Sequence, residues 1–480
     1  MKKLLIANRG EIARRIIRTA KRMGIETVAI YSDVDTDAPF VVEADQSVRL
    51  PGLTPADTYL NVERVLQAAA QTGADALHPG YGFLSENAAF ARTCLERGLI
   101  FVGPSPAAIE HLGSKTNARA LAISAGVPVM PGTTAGITSI EEARSTAAEI
   151  GYPVLLKAAA GGGGKGMRVV EREEDLESSL RAAQGEARTA FGDDEVFVEK
   201  YVTDPRHIEI QVVADVDGSV LILGERECSI QRRHQKLIEE SPSVAVDADL
   251  RGRMFASARK LVEAASYTNA GTLEFLLDSD GSYYFLEVNT RLQVEHPVTE
   301  MVTGLDLVEL QLRVASGEGL GLKQEDIVFT GHAIECRICA EDPYDGFMPS
   351  VGRILALEEP EGEGVRVDSG IYAGMEVSLY YDPMIGKLIT HGSDRSEAIE
   401  RMIRAIDRYH IAGIRTTLPF CRQVLKEADF LAGDFSTGYV GSHWVDPKPD
   451  LLPEELLAAA TAAAGSRNEL EIRRHGKGVA

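Results

Sequence analysis

Thr272-Leu-Glu274-Phe-Leu-Leu-Asp278-Ser-Asp-Gly281-Ser-Tyr283-Tyr-Phe-Leu-Glu287-Val-Asn289-Thr-Arg291-Leu-Gln293-Val-Glu295-His-Pro297 reads as two strands joined by a turn-rich connection. Pairing across a tight turn sets Glu274 opposite Phe285, and a slip of two residues sets it opposite Glu287. Side chains alternate with period two, so either register leaves Glu274 and Glu287 on one face. With the amide of Asn289 they form an all-oxygen donor set, suited to a hard divalent cation that bridges to phosphates. Arg291, Gln293 and Glu295 continue the two-residue spacing. A lone carboxylate here would read as solvated sheet surface, but the whole row reads as an active site.

Working outward, 480 residues imply about three domains. The apolar content of 44% and charged content of 25% are those of an ordinary globular protein. A net charge of -22 and the lack of a basic stripe argue against nucleic acid as a main partner. The opening Met1-Lys-Lys-Leu-Leu-Ile-Ala7 imitates a signal peptide, but Asn8 and Arg9 end the apolar run. No apolar stretch reaches the ~18 residues of a membrane span, so the expected compartment is the cytoplasm. Five cysteines, an odd number, fit a reducing compartment. Cys336-Arg-Ile-Cys339 has the form of a redox or zinc pair, yet its context reads as a strand, where residues three apart diverge.

The expected fold is α/β and α+β in three parts. Residues 1–114 begin with a strand at 3–7, a helix at 11–23 and a strand at 26–31, a βαβ opening to a Rossmann-like parallel sheet. A helix near 62–72, a strand into Ala76-Leu-His-Pro79, a helix near 86–97 and the strand 99–102 complete it. The turn Asn8-Arg9-Gly10-Glu11 has one glycine and lacks the dinucleotide fingerprint.

The second part spans 115–328. Between the strands 154–157 and 167–170 lies Ala158-Ala-Ala-Gly161-Gly-Gly163-Gly164-Lys165-Gly166, which formally satisfies GxGxxG. A strand follows it rather than a helix, so no helix N-terminus is offered to a phosphate. Gly166 stands where a Walker motif needs Ser or Thr. The run reads instead as a glycine-rich flap whose bare amides close over phosphates, with Lys157 entering from the preceding strand. The third part, 329–446, mixes strands at 331–340, 366–367 and 386–390 with a helix at 395–409. A tail, 447–480, carries an alanine-rich helix.

These residues resemble the biotin carboxylases of the ATP-grasp superfamily over essentially residues 1–446. The resemblance rests on Ala7-Asn-Arg-Gly-Glu11, His78-Pro-Gly-Tyr-Gly-Phe-Leu-Ser-Glu86, the Gly161–Gly166 flap, Pro205-Arg-His207-Ile-Glu209, Gln231-Arg-Arg-His234-Gln-Lys236 and Glu287 through Pro297. It implies an N-terminal biotin carboxylase domain, an ATP-grasp domain with its lid at about 131–202, and a C-terminal biotin carboxylase domain. The implied reaction is ATP-dependent carboxylation of biotin by bicarbonate through carboxyphosphate.

By the same resemblance, Lys115, Lys157, Gly163 and Gly164 face the phosphates of ATP. Glu199, Lys200, Tyr201 and Val202 line the adenine, and His207, Gln231 and His234 surround the nucleotide. Lys236 faces the γ-phosphate. Glu274 and Glu287, with Asn289, hold Mg²⁺ (or Mn²⁺). Arg291, Gln293 and the backbone of Val294 bind bicarbonate, Glu295 is its base, and Arg337 stabilises the biotin enolate. Cys228 is the rival base, disfavoured because an ordinary thiol is little ionised at neutral pH.

Thr417, Ser266 and Val351 depart from the family's usual Asn, Gly and Pro, all outside the catalytic set. No lysine has the Ala-Met-Lys-Met context of biotin attachment, and about 34 residues after the last matched domain are too few for a carrier. The chain is therefore expected to be the biotin carboxylase component of a multi-chain enzyme, forming a homodimer if it follows its family. It would serve a biotin carboxyl carrier protein in trans and a carboxyltransferase of an acetyl-CoA or pyruvate carboxylase. Alternatives are a component of a 2-oxoglutarate or propionyl-CoA carboxylase, or another ATP-grasp ligase joining a carboxylate to an amine. The latter would not need Arg291, Gln293, Glu295 and Arg337 together. A non-enzymatic homologue would have lost one of these positions, and none is lost.

Overall fold

A computed structural model describes residues 1–133, 136–158, 167–191 and 194–445. The glycine run, including Gly163 and Gly164, and the 447–480 tail lie outside the described residues.

Five strands, β1 (Lys3–Ile6), β2 (Glu26–Tyr31), β3 (Gln46–Arg49), β4 (Ala76–His78) and β5 (Ile100–Phe101), form a parallel sheet of order β3-β2-β1-β4-β5. Leu4, Leu5 and Ile6 are fully buried, as befits a central parallel strand covered on both faces. The helix Gly10–Arg22 buries Ile12, Ala13, Ile16, Ile17 and Ala20, a stripe at helical spacing. Strand β3 was not expected from the sequence. Its Gln46-Ser-Val-Arg49 is an edge segment with one apolar residue, so it offers no hydrophobic run to read.

The turn after β1 and the turn after β4 are one structure. Asn8 Nδ2 donates to the carbonyls of Pro79 and Tyr81, each at 2.7 Å. Gly80 between them has φ +64°, and a Cβ there would lie 2.7 Å from Asn8 Nδ2. Glycine is required on both counts.

Strands β6 (Val154–Ala158), β7 (Met167–Val170) and β8 (Val196–Lys200) make a small antiparallel sheet of order β7-β6-β8. Val154 pairs with Val170 and Lys157 with Met167, the expected hairpin. Helices Ile140–Ile150 and Glu173–Phe191 pack Ala143, Ala147, Leu176 and Leu180 against Leu156, Val196 and Val198.

The largest element is an eight-stranded sheet built from β9 (Arg206–Ala214), β10 (Val220–Arg232), β11 (Gln235–Ser241), β12 (Asn269–Leu277), β13 (Tyr283–Asn289), β14 (His332–Cys339), β15 (Val365–Ser369) and β16 (Met384–Gly392). Its order is β13-β12-β9-β10-β11-β14-β16-β15. The ladder from β11 to β14 carries the sheet across position 328/329, where the sequence suggested a domain boundary. Cys336 and Cys339 lie on β14, both buried, and all five cysteines are free thiols. Between β10 and β11, Arg233 (φ +49°) and His234 (φ +66°) form a two-residue turn with both residues left-handed, matching the strand twist at some backbone strain.

Candidate active site

Four charged residues stand in one row across the sheet. Arg226 on β10 pairs with Glu209 on β9, Glu209 with Glu274 on β12, and Glu274 with Glu287 on β13. Directly opposed residues of antiparallel strands share a face, so all four point into one cleft. The neighbouring row is Gln211, Thr272 and Asn289.

Of the two registers open from sequence, the structure has Glu274 opposite Glu287, with Phe275 opposite Phe285. Leu286 is therefore an extra residue, a β-bulge. Strict alternation would have put Phe285 and Glu287 on one face. The bulge instead lets Phe285 and Val288 enter the core while Glu287 faces the cleft.

Lys236 on β11 lies at the centre. Its ammonium contacts Glu209 Oε1, Glu295 Oε1 at 2.8 Å and Glu274 Oε1 at 3.1 Å. Arg337 on β14 donates to Glu239 Oε1 at 2.5 Å and to Glu295 Oε2 at 2.8 Å. Burial alone would raise the pKa of Glu295, but Lys236, Arg337 and Arg226 hold it well below the usual carboxylate range. Glu274 is likewise held well below its ordinary value, against burial, by Lys236 and His207. Glu209 goes the other way, pushed up to about 7, because burial together with Glu295 and Glu274 outweighs Lys236 and Arg226. Burial also drives the Cys228 thiol far up, with Glu209 adding to it.

His207 Nε2 lies 3.0 Å from Glu274 Oε2, and its Nδ1 faces Gln231 Nε2 at 3.3 Å. Asn289 Nδ2 and Gln293 Nε2 both donate to Glu274 Oε1, at 2.6 and 2.8 Å. Arg291 donates to Glu86 Oε2 at 2.9 Å and to Asn289 Oδ1 at 2.8 Å. Lys115 Nζ lies 3.5 Å from half-exposed Glu287. Lys157 donates to Glu199 Oε2 at 2.6 Å. The amides of Lys200 and Tyr201 donate to the carbonyls of Pro131 and Pro153, so this part of the strand edge is already engaged, and Val202 is buried beyond it. His234 is exposed on the tight turn and is not drawn into the Lys236 cluster.

Sequence reasoning missed Glu86, Glu209, Arg226, Glu239 and Lys387. Glu209 had a signal, since it lies two residues from His207 on the same strand face. Arg226 had a weaker one, a charge within a strand otherwise destined for burial. It is fully buried and donates to Glu209, Gln211, Thr272, Gln293 and Thr299. The donor set suits a hard cation: two carboxylates face each other, one ionised and bound only by N–H donors at Oε1. Asn289 Oδ1 meets Arg291 in this arrangement, and its Nδ2 occupies the carboxylate oxygen that a cation would share.

A small three-stranded sheet beside a large antiparallel sheet that carries an acidic row is the architecture of an ATP-grasp ligase. Residues 1–109 match the family described as biotin carboxylase, N-terminal domain, residues 114–323 the carbamoyl-phosphate synthase L chain, ATP binding domain, and residues 335–442 the biotin carboxylase C-terminal domain. Biotin carboxylase 1 of Bacillus subtilis is 54% identical over 92% of this chain and 99% of its own. The crystal structure of a Campylobacter jejuni biotin carboxylase complex superposes with a TM-score of 0.87 at 48% identity, covering 92% of this chain and 99% of that one. The biotin carboxylase domain dimer of Hydrogenobacter thermophilus 2-oxoglutarate carboxylase, solved with MgADP, ADP and bicarbonate, gives 0.86 at 47%, covering 93% and 99%. The chain belongs to the biotin carboxylase family.

Proposed function

We propose that the cleft carboxylates biotin with the following division of labour. Glu295, ionised between Lys236 and Arg337, takes the proton of bicarbonate held by Arg291, Gln293 and the Val294 amide. The resulting oxygen attacks the γ-phosphoryl group of ATP, releasing ADP and forming carboxyphosphate, with Lys236 facing the transferred group. Carboxyphosphate collapses to CO₂ and phosphate, and the phosphate takes the N1 proton of biotin. Arg337 steadies the enolate oxygen while N1 attacks CO₂. Glu274, Glu287 and Asn289 would hold Mg²⁺ (or Mn²⁺), which supplies charge neutralisation to the phosphates when bound. Lys115, Lys157, Glu199, Lys200, Tyr201, Val202, His207, Gln231 and His234 form the nucleotide shell, to which the sequence adds Gly163 and Gly164.

One observation carries this reading: a buried carboxylate kept ionised at 2.8 Å from both a lysine and an arginine. Such an arrangement provides a base flanked by cations for two successive anions. Purified protein is expected to cleave ATP in a bicarbonate-dependent way that free biotin stimulates. Equal hydrolysis in bicarbonate-free buffer, indifferent to biotin, would remove the claim.

The biotin is carried by a separate chain, as a carrier protein or domain, with a carboxyltransferase taking the product to acetyl-CoA, pyruvate or a related acceptor. The match to Biotin carboxylase 1 of Bacillus subtilis over 99% of that chain supports a carrier in trans. Avidin blotting should find this 51.9 kDa chain unbiotinylated and a different protein carboxylated by it. The assembly is a homodimer and its place the cytoplasm, which five buried free thiols favour. Among the described residues, no helix is long and apolar enough to cross a membrane.

A further inference from the structure

Two buried side chains outside the residues assigned above grip the backbone on either side of Val294. His296 Nδ1 lies 2.7 Å from the Gln293 carbonyl, and Lys387 Nζ lies 2.6 Å from the Val294 carbonyl. Both side chains are fully buried. Lys387 comes from β16, two strands beyond Lys236, where it stands directly opposite Arg337 of β14. In a trans peptide the N–H points opposite to the C=O. Fixing the Gln293 carbonyl toward His296 therefore turns the Val294 amide away from it, and fixing the Val294 carbonyl toward Lys387 does the same for the Glu295 amide. Among the described residues, neither amide donates to another group. Successive backbone amides left without an internal acceptor are the groups from which anion-binding concavities are built.

We propose that His296 and Lys387 are positioning residues that orient the Val294 and Glu295 peptide planes for the bicarbonate anion. The inference rests on the assignment of bicarbonate to the Arg291–Val294 cleft. It extends that assignment from the groups that touch the anion to the groups that aim them. His296 acts as a neutral imidazole carrying its proton on Nδ1, since burial and the cations Lys387, Arg15 and Arg366 hold its pKa well below the ordinary value. Its Nε2 has no hydrogen-bond partner and stands 3.9 Å from Glu300. Lys387 in turn lies 3.4 Å from Glu11 Oε1, the carboxylate of the first motif, which contacts the Tyr81 hydroxyl.

The test compares Michaelis constants for bicarbonate, ATP and free biotin across variants. His296→Asn keeps a donor near the Nδ1 position, whereas His296→Gln moves it to the Nε2 position. His296→Gln should raise the bicarbonate KM about tenfold, the loss of one hydrogen bond near a charge, and leave the ATP KM within about threefold. His296→Asn should recover most of that loss. Because Lys387→Met alone leaves Glu11 buried without its cation, the pair Glu11→Gln/Lys387→Met is compared with Glu11→Gln, and the bicarbonate KM should rise on adding Lys387→Met. Equal behaviour of the Asn and Gln variants, or a fall in kcat with the bicarbonate KM unmoved, would overturn the proposal. Arg291→Ala separates the two levels. If it too leaves the bicarbonate KM unchanged, the assignment of the cleft falls with the inference; if only Arg291→Ala raises it, the inference alone falls.

Discussion

Glu274 stands directly opposite Glu287 across β12 and β13, held there by the one-residue bulge at Leu286. The two carboxylates nevertheless differ. Glu274 is buried among Lys236, His207, Asn289 and Gln293, while Glu287 is half-exposed and, among the described residues, is ion-paired with Lys115 alone. Glu287→Gln should therefore raise the Mg²⁺ concentration needed for half-maximal activity with the melting temperature nearly unchanged. Glu274→Gln should do the same and also lower the melting temperature. Activity titrated with Mg²⁺ alongside thermal unfolding separates them; equal melting losses would contradict the burial argument.

Lys236→Gln removes the ammonium shared by Glu209, Glu274 and Glu295, and should cost at least about a hundredfold in kcat for bicarbonate-dependent ATP cleavage. Arg337→Ala should impair biotin carboxylation more than ATP cleavage, because its guanidinium holds the Glu295 oxygen that Lys236 does not. Measuring ADP and carboxybiotin in one reaction distinguishes the two. A parallel loss of both products in Arg337→Ala would argue against a role at biotin.

Opposite pH dependences are expected from Glu295 and Glu209. The folded pKa of Glu295 is depressed, so its stabilising share is present above an unfolded value of about 4.3 and is lost as pH falls below it. The folded pKa of Glu209 is raised to about 7, so its share is present below the unfolded value and is lost as pH rises toward about 7. Melting temperature should thus decline between about pH 5 and about pH 7, and Glu209→Gln should flatten that decline. An unchanged slope in the variant would place the titration elsewhere.

Arg226→Met should destabilise the fold by about 3–5 kcal/mol in urea unfolding, since it strips a fully buried carboxylate of one of its two cations. Combining it with Glu209→Gln should recover part of the loss. A double variant as unstable as the sum of both singles would show that the pair is not coupled.

Cys228→Ala should keep activity within about threefold, because a thiol driven up by burial supplies no thiolate near neutrality. A loss beyond about a hundredfold would reinstate the thiol as the base.

Much of this arrangement was legible along the chain. The period-two spacing put Glu274, Glu287 and Asn289 on a strand face, and it carried on past the strand to Arg291, Gln293 and Glu295. The strand after the glycine run excluded the dinucleotide-loop reading by the absence of a helix start, and Gly166 excluded the Walker reading. Elements with strong apolar periodicity, such as Gly10–Arg22 and Glu26–Tyr31, were found within a residue of their ends. Edge strand β3 was not, because a solvated edge carries no hydrophobic pattern.

What periodicity determines is which face a residue takes, because alternation is a property of the local backbone. Which partner it meets there is a non-local matter. The choice of Glu287 over Phe285 opposite Glu274 depended on a bulge that Phe275, Phe285 and Val288 impose by packing into one core. Glu86, Arg226 and Lys387 joined the site from segments 205, 67 and 93 residues away from Arg291, Gln293 and Val294. The folded sheet and the burial it creates hold Glu295 ionised and raise Glu209, since charges separated along the chain interact strongly only once water is excluded between them.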